Sequence, residues 1–127
     1  MLLALMEMMG CTMSNQEKIV ILTEAWYNYV SLDHHKDKDC HFYISTKYSY
    51  GNPPVYLVEH RGYVTSFEDV CGSYELAEKS MIRQLTGKIN EEIEWLDKIK
   101  NNPEDYCISY NPIEVKETLQ KAINDAS

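Results

Sequence analysis

The feature that most constrains the fold of this chain is the segment of residues 40–67, in which apolar and polar residues alternate. Its sequence is CHFYISTKYSYGNPPVYLVEHRGYVTSF, and it contains five of the ten tyrosines. Successive side chains of a β-strand point to opposite faces, so a period of two is typical of strands with one buried face. The segment therefore predicts a small antiparallel sheet against which the rest of the chain packs.

Two interruptions divide this segment into three strands. Residues 51–54 (GNPP) cannot continue a ladder because proline lacks the backbone N–H, so they form the first hairpin loop. Arg61-Gly62 suits a tight two-residue turn, since glycine accepts a positive φ. We therefore predict a second strand at residues 55–60 and a third at residues 63–67.

Alternation also predicts the two faces of the sheet. Phe42 and Ile44 are assigned to the core face with Cys40, Thr46, Tyr48 and Tyr50. Tyrosine combines a large apolar ring with a hydroxyl group, a combination that is frequent in binding surfaces. We assign Tyr43, Tyr56 and His60 to the other, partly open face. The predicted binding site comprises Tyr43, Tyr56, His60, Arg61 in the adjacent turn, and Arg83 on the following helix.

A helix is predicted before the sheet. Ser14 and Glu17 have the spacing of a capping box, in which side chains satisfy the first backbone amides of a helix. Apolar residues then recur on one helical face, at Ile19, Leu22, Trp26, Tyr29 and Val30. This helix is expected to end near Leu32.

Two more helices are predicted after the sheet. The first begins at Ser73 and carries apolar residues at three- and four-residue spacing to about residue 101. A kink or break near Gly87 is an alternative, because glycine weakens a helix. Its apolar stripe is longer than the sheet, so the overhang needs a partner. Residues 106–110 form either a short fourth strand or a connector, and Asn111-Pro112 starts the C-terminal helix. The predicted fold class is α+β.

The N-terminal residues 1–13 form an apolar segment before a single α+β domain at residues 14–127. Glu7 interrupts the segment, no Lys or Arg precedes it, and it is shorter than the roughly 20 residues of a membrane span. We therefore predict no membrane association and a cytoplasmic location. The segment is either an extension from an upstream start or a helical flap.

Charge and cysteine content limit the function classes. The formal net charge is −8, which disfavours direct nucleic-acid binding and favours a protein partner with a basic surface. The four cysteines form no CxxC pair and are expected as free thiols in a reducing cytosol, although two disulfides remain an alternative.

Motifs of catalysis and metal binding are absent from the sequence. Residues 33–41 (DHHKDKDCH) are rich in metal-binding side chains, yet their spacing matches no known site, so we interpret them as a solvated linker. Metal binding by His34, His35 and His41 is left open. There is no P-loop, GxGxxG, GxSxG or HExxH motif. We expect a protein without catalytic residues, metal or cofactor.

Two family resemblances concern the sheet and its flanking helices. The stretch GYVTSFEDV at residues 62–70 resembles the GYxVxFPDLPG stretch of HicB-type antitoxins, with Glu68 in place of the proline. A helix, a three-stranded meander and a second helix also resemble double-stranded RNA-binding domains. Residues 72–78 (GSYELAE) stand where those domains have a basic helix start, and here they contain two glutamates and no lysine. This difference removes the phosphate contacts of that family.

These observations lead to several functional hypotheses. The first is a non-enzymatic acidic protein that occupies a basic surface of a protein partner, such as an inhibitor of a nucleic-acid-handling enzyme or a phage-type counter-defence protein. The alternative is a small-anion or nucleotide-sequestering protein with a tyrosine-lined pocket, and a further one is an antitoxin-like protein. A homodimer through the C-terminal helices is a separate expectation.

Overall fold

The computed structural model describes residues 13–32, 41–61 and 66–127, excluding the side chains of residues 61 and 66–68. Within them the elements are, in order, helix α1 (Asn15–Ser31), strands β1 (His41–Lys47), β2 (Val55–Arg61) and β3 (Ser66–Cys71), helix α2 (Tyr74–Ile99), a 3₁₀ turn (Pro103–Tyr106) and helix α3 (Pro112–Asp125). This order confirms the predicted α+β fold. The predictions for residues 1–12 and for His34 and His35 lie outside the described residues.

Helix α1 forms as its sequence predicts. The Ser14 hydroxyl oxygen accepts a hydrogen bond from the backbone N–H of Glu17 at 3.2 Å, which caps the first turn. The predicted apolar face is buried throughout, at Ile19, Leu22, Trp26, Tyr29 and Val30. Leu32 is the C-terminal cap, so the predicted end of the helix is also confirmed.

The three strands form an antiparallel sheet in the order β1-β2-β3. Phe42 is buried and Ile44 is half-buried, as predicted for the core face. Tyr48 and Tyr50 were predicted on the same face, but β1 ends at Lys47 and their relative exposures are 79% and 105%. Alternation predicts the face of a side chain only within a strand, and Tyr48 and Tyr50 lie beyond the end of β1, in the hairpin connection.

The third strand extends beyond its predicted end at residue 67, and residues 63–65 of the predicted strand lie outside the described residues. Arg61 belongs to β2, where its backbone is paired with both His41 and Ser66, so the predicted two-residue turn at Arg61-Gly62 was wrong. This register extends β3 to Cys71, which pairs with Tyr56 and is buried. A two-residue turn would have ended the ladder near residue 67, whereas the observed register brings Cys71 opposite Tyr56, where it is buried.

Helix α2 is continuous for 26 residues. The break that the sequence allowed near Gly87 does not occur. The Ser73 hydroxyl accepts from the backbone N–H of Leu76 at 3.2 Å, which confirms the predicted start. The structure assigns no strand to residues 106–110, which are described in full. They contain the end of the 3₁₀ turn and a connector with Cys107 at a φ of 58°. Asn111 then caps α3, its Oδ1 accepting from the N–H of Ile113 at 3.0 Å.

The hydrophobic core lies around α2. This helix contacts all three strands as well as α1 and α3. Its hydrogen bond to β3 is at Ser80, whereas those to α1 and α3 are further along, at Glu92 and Asp97. The overhang predicted from the length of the apolar stripe is therefore covered by helices of the same chain. The long-helix side chains of this core are Ala77, Met81, Leu85, Ile89, Ile93, Leu96 and Ile99. No helix in the described ranges is long and apolar enough to cross a membrane.

Candidate functional site

The residues of the predicted binding site do not share one face of the sheet. His60 pairs with Phe42 across the ladder, which places it on the inner face that α2 covers. Its imidazole is 6% exposed and stacks on the Phe42 ring, with centroids 4.1 Å apart and planes 5° from parallel. Tyr43 pairs with Glu59 on the outer face and stacks with His41 at 5.3 Å. The prediction of a common open face was therefore wrong.

The other members of the predicted site lie on the inner face and on α2. Tyr56 alternates with Val58 and His60 on the inner face, and its ring meets Tyr74 edge-on at 5.7 Å. Arg83 is exposed on α2. The side chain of Arg61 lies outside the described residues. Among the residues that the structure describes, no cluster of His, Cys, Asp and Glu could hold a metal ion.

A polar cluster lies between β3 and α2. The Ser80 hydroxyl donates to Asp69 Oδ2 at 2.6 Å, and Gln84 Nε2 donates to Ser80 Oγ at 2.9 Å. Burial, and then the neighbouring Asp69 carboxylate, raise the pKa of the Cys71 thiol, whereas the charge of Arg83 lowers it. A raised pKa disfavours the nucleophilic thiolate, and Ser80, at 1% exposure, is closed to a substrate. The cluster therefore acts by holding the strand to the helix.

A second polar contact joins α1 to α2. The buried Tyr29 hydroxyl donates to Glu92 Oε1 at 2.8 Å. Burial, followed by the charge and hydrogen bond of Glu92, raises the pKa of Tyr29 far above its ordinary value. Tyr29 is consequently a neutral hydrogen-bond donor at physiological pH, and this contact is structural.

An open cleft of about 250 Å³ lies between α1 and α3. It is lined by residues from both helices: Ala25, Asn28, Tyr29, Leu32, Glu114, Val115, Thr118 and Leu119. No Lys or Arg is among them. Leu32 is 45% exposed at this cleft, and the side chains of Tyr29 and Leu119 are buried. The cleft is thus an apolar depression with one carboxylate in its wall.

The charges on the helices are unevenly compensated. Many lysines already contact a carboxylate, as Lys79 contacts Glu75 at 3.3 Å and as Lys100 and Lys116 both contact Asp97. Other exposed glutamates make no ion pair within the described part of the chain. We call these residues the acidic helical surface: Glu17, Glu24, Glu94, Glu104, Glu114 and Glu117.

The cleft was not predicted from the sequence. Ala25 and Leu32 are seven residues apart, a spacing that places them on one side of a helix and away from the main buried stripe of α1. This signal was present in the sequence. However, it becomes a cleft only because α3 supplies the opposite wall, and sequence spacing does not show how two distant helices pack.

Comparisons with known proteins do not place this chain in a family. Models of known protein families, curated protein sequences and solved structures were all compared with it, and none matches.

Proposed function

We propose that this protein is a non-enzymatic binding protein whose acidic helical surface occupies a basic surface of a protein partner. The observation that carries the proposal is the set of exposed glutamates that make no ion pair with any described residue, on a chain whose formal net charge is −8. A concentration of one charge sign steers an oppositely charged partner into contact and selects against partners of like charge.

The class of partner follows from the same chemistry. Enzymes that handle nucleic acids carry Lys and Arg along the grooves that hold phosphates. A folded surface with exposed carboxylates can occupy such a groove and exclude the nucleic acid. The proposed role is therefore that of an inhibitor, as in phage counter-defence, acting in the cytoplasm where such enzymes work.

The alternative of an anion or nucleotide pocket has less support from the geometry. Its proposed residues Tyr43 and His60 lie on opposite faces of the sheet, and His60 is buried against Phe42. The antitoxin-like alternative rests on a stretch that overlaps β3 and four residues outside the described ranges. Neither alternative has a comparable set of described, exposed side chains of one chemistry.

The test uses a fluorescent peptide of ten lysines as a basic probe and a neutral Gly-Ser peptide of equal length. We expect the protein to bind the lysine peptide, and raising NaCl from 50 to 300 mM to weaken that binding by at least tenfold, because salt screens exposed charges. Fluorescence anisotropy measures both affinities. An affinity that does not change with salt concentration, or equal affinities for the two peptides, would contradict the proposal.

A pair of charge-matched variants locates the surface. Replacing Glu94 and Glu117 by Gln removes two members of the acidic helical surface. Replacing Glu75 and Glu78 by Gln changes the net charge equally at the start of α2, beside the sheet. At roughly 0.2–1 kcal/mol for each exposed contact, the first variant should lose about fivefold in affinity. The second should lose clearly less, and equal losses would show that only net charge matters.

A further inference from the structure

We propose that the cleft between α1 and α3 is the docking site for one large apolar side chain of the partner, presented within a basic segment. The inference rests on the proposed acidic binding role and deepens it, because it specifies where the partner binds and what its sequence must contain.

The size of the cleft favours a side chain over a small-molecule ligand. Its volume of about 250 Å³ is below the roughly 300–1,000 Å³ of typical ligand pockets. That space suits a Leu, Met or Phe side chain. Interfaces commonly obtain much of their affinity from one such anchor in a preformed pocket.

The cleft is preformed because its floor belongs to the core. Tyr29 and Leu119 are buried, and Tyr29 is also held by its hydrogen bond to Glu92. Leu32, at 45% exposure, extends the apolar surface to the mouth. Both walls are helices with capped N-termini, so a partner side chain would enter without reorganising the backbone.

The charges around the cleft specify a basic partner. Glu114 lies in the wall, and Glu24 and Glu117 lie one helical turn from the lining residues Asn28 and Glu114. All three glutamates are exposed and have no ion pair within the described residues. Lys121, one turn beyond Thr118, already contacts Asp125 at 2.7 Å.

Charge complementarity also argues against the other occupants. A second copy of this chain would bring another net charge of −8 to the same rim. An anionic ligand would face the same repulsion. A segment with Lys or Arg on both sides of an apolar residue matches the apolar floor and the acidic rim together.

The experiment compares two fluorescent peptides, KKKLKKK and KKKAKKK, which differ only in the central side chain. We expect the full chain to bind the leucine peptide about tenfold more tightly than the alanine peptide in 50 mM NaCl, because the leucine side chain is transferred from water into the apolar cleft. Thr118→Trp fills the cleft from an exposed wall position and should abolish this preference, so that the two peptides bind the variant with equal affinity.

The matched control is Gln120→Trp, which adds the same ring at an exposed position of α3 that does not line the cleft. It should retain the tenfold preference, and thermal melts of both variants verify folding. If both peptides bind equally and binding remains salt-sensitive, the cleft inference fails and the acidic binding role stands. If neither binds, both fail.

Two further outcomes would assign the cleft to another occupant and overturn the inference. One is a dimer, measured by light scattering, that Thr118→Trp dissociates and Gln120→Trp does not. The other is a leucine preference found only in a chain that begins at Met13, which would assign the cleft to residues 1–12.

Discussion

Removing a single hydroxyl group tests how α1 is held to α2. In Tyr29→Phe the ring remains in place against Trp26 and Tyr110, whose centroids lie 6.1 and 6.5 Å away. The lost group is the O–H that donates to Glu92 Oε1 at 2.8 Å. Because the packing surface is retained, the change in the free energy of unfolding reports the polar contacts of this hydroxyl, which are the hydrogen bond to Glu92 and the interaction with Tyr110.

The expected cost is about 2 kcal/mol. A hydrogen bond to a charged group contributes roughly 1.5–3 kcal/mol, and the half-buried Glu92 can regain water on one side, which favours the lower half of that range. For 127 residues, an unfolding entropy of about 2.1 cal/mol/K per residue converts this cost into a fall in Tm of about 7 °C.

The same variant should have a distinct pH dependence. Burial raises the pKa of Tyr29 in the folded chain above the value of about 10 in the unfolded chain. The stability from this group is therefore complete below pH 10. It is lost as pH rises further, by up to about 1.4 kcal/mol per pH unit, because only the unfolded chain ionises. Since phenylalanine does not ionise, the gap between the two proteins should narrow between pH 10 and 11.

Urea unfolding followed by circular dichroism at pH 7 and at pH 10.5 measures both effects. Glu91→Gln is the control, since Glu91 is exposed and adjacent in sequence to Glu92 but is not the acceptor of Tyr29. Its effect should stay within about 0.5 kcal/mol. A loss below 0.5 kcal/mol in Tyr29→Phe, or a gap that widens at high pH, would refute the reasoning.

Further substitutions test other parts of the fold. His60→Ala removes a buried, stacked ring and should cost about 3 kcal/mol in urea unfolding, whereas His41→Ala on the outer face should cost less than 1 kcal/mol. Gly87→Ala should stabilise the chain by about 0.5–1 kcal/mol, because an added Cβ meets no atom within 4 Å; destabilisation would indicate a kink. In a chain whose other two cysteines are serine, iodoacetamide at pH 8 should label exposed Cys107 and spare Cys71, which is buried and has a raised pKa; equal labelling would contradict this.

Local sequence signals determined where most elements begin and which helical faces are buried. Ser14, Ser73 and Asn111 each cap a helix as predicted, because a cap depends on backbone amides within three residues of it. The apolar stripe of α1 was predictable for the same reason, since the helical period places those side chains together whatever surrounds them.

The faces of β2 were not predictable from its own sequence. Tyr56, Val58 and His60 alternate with Val55, Leu57 and Glu59, and each set mixes apolar with polar residues. Pairing with β1 decides the outcome by aligning His60 with buried Phe42. Such a register depends on contacts between residues far apart in sequence, which a period-two pattern does not contain.

The candidate site shows the same division between local and long-range information. The sequence by itself determined the excess of carboxylates and the amphipathic helices that carry them. Only the tertiary structure decided which lysines neutralise which acids, and that Ala25 of α1 and Thr118 of α3 line one cleft. Helix periodicity is a property of neighbouring residues, whereas a cleft between two helices depends on how their core faces pack against a third.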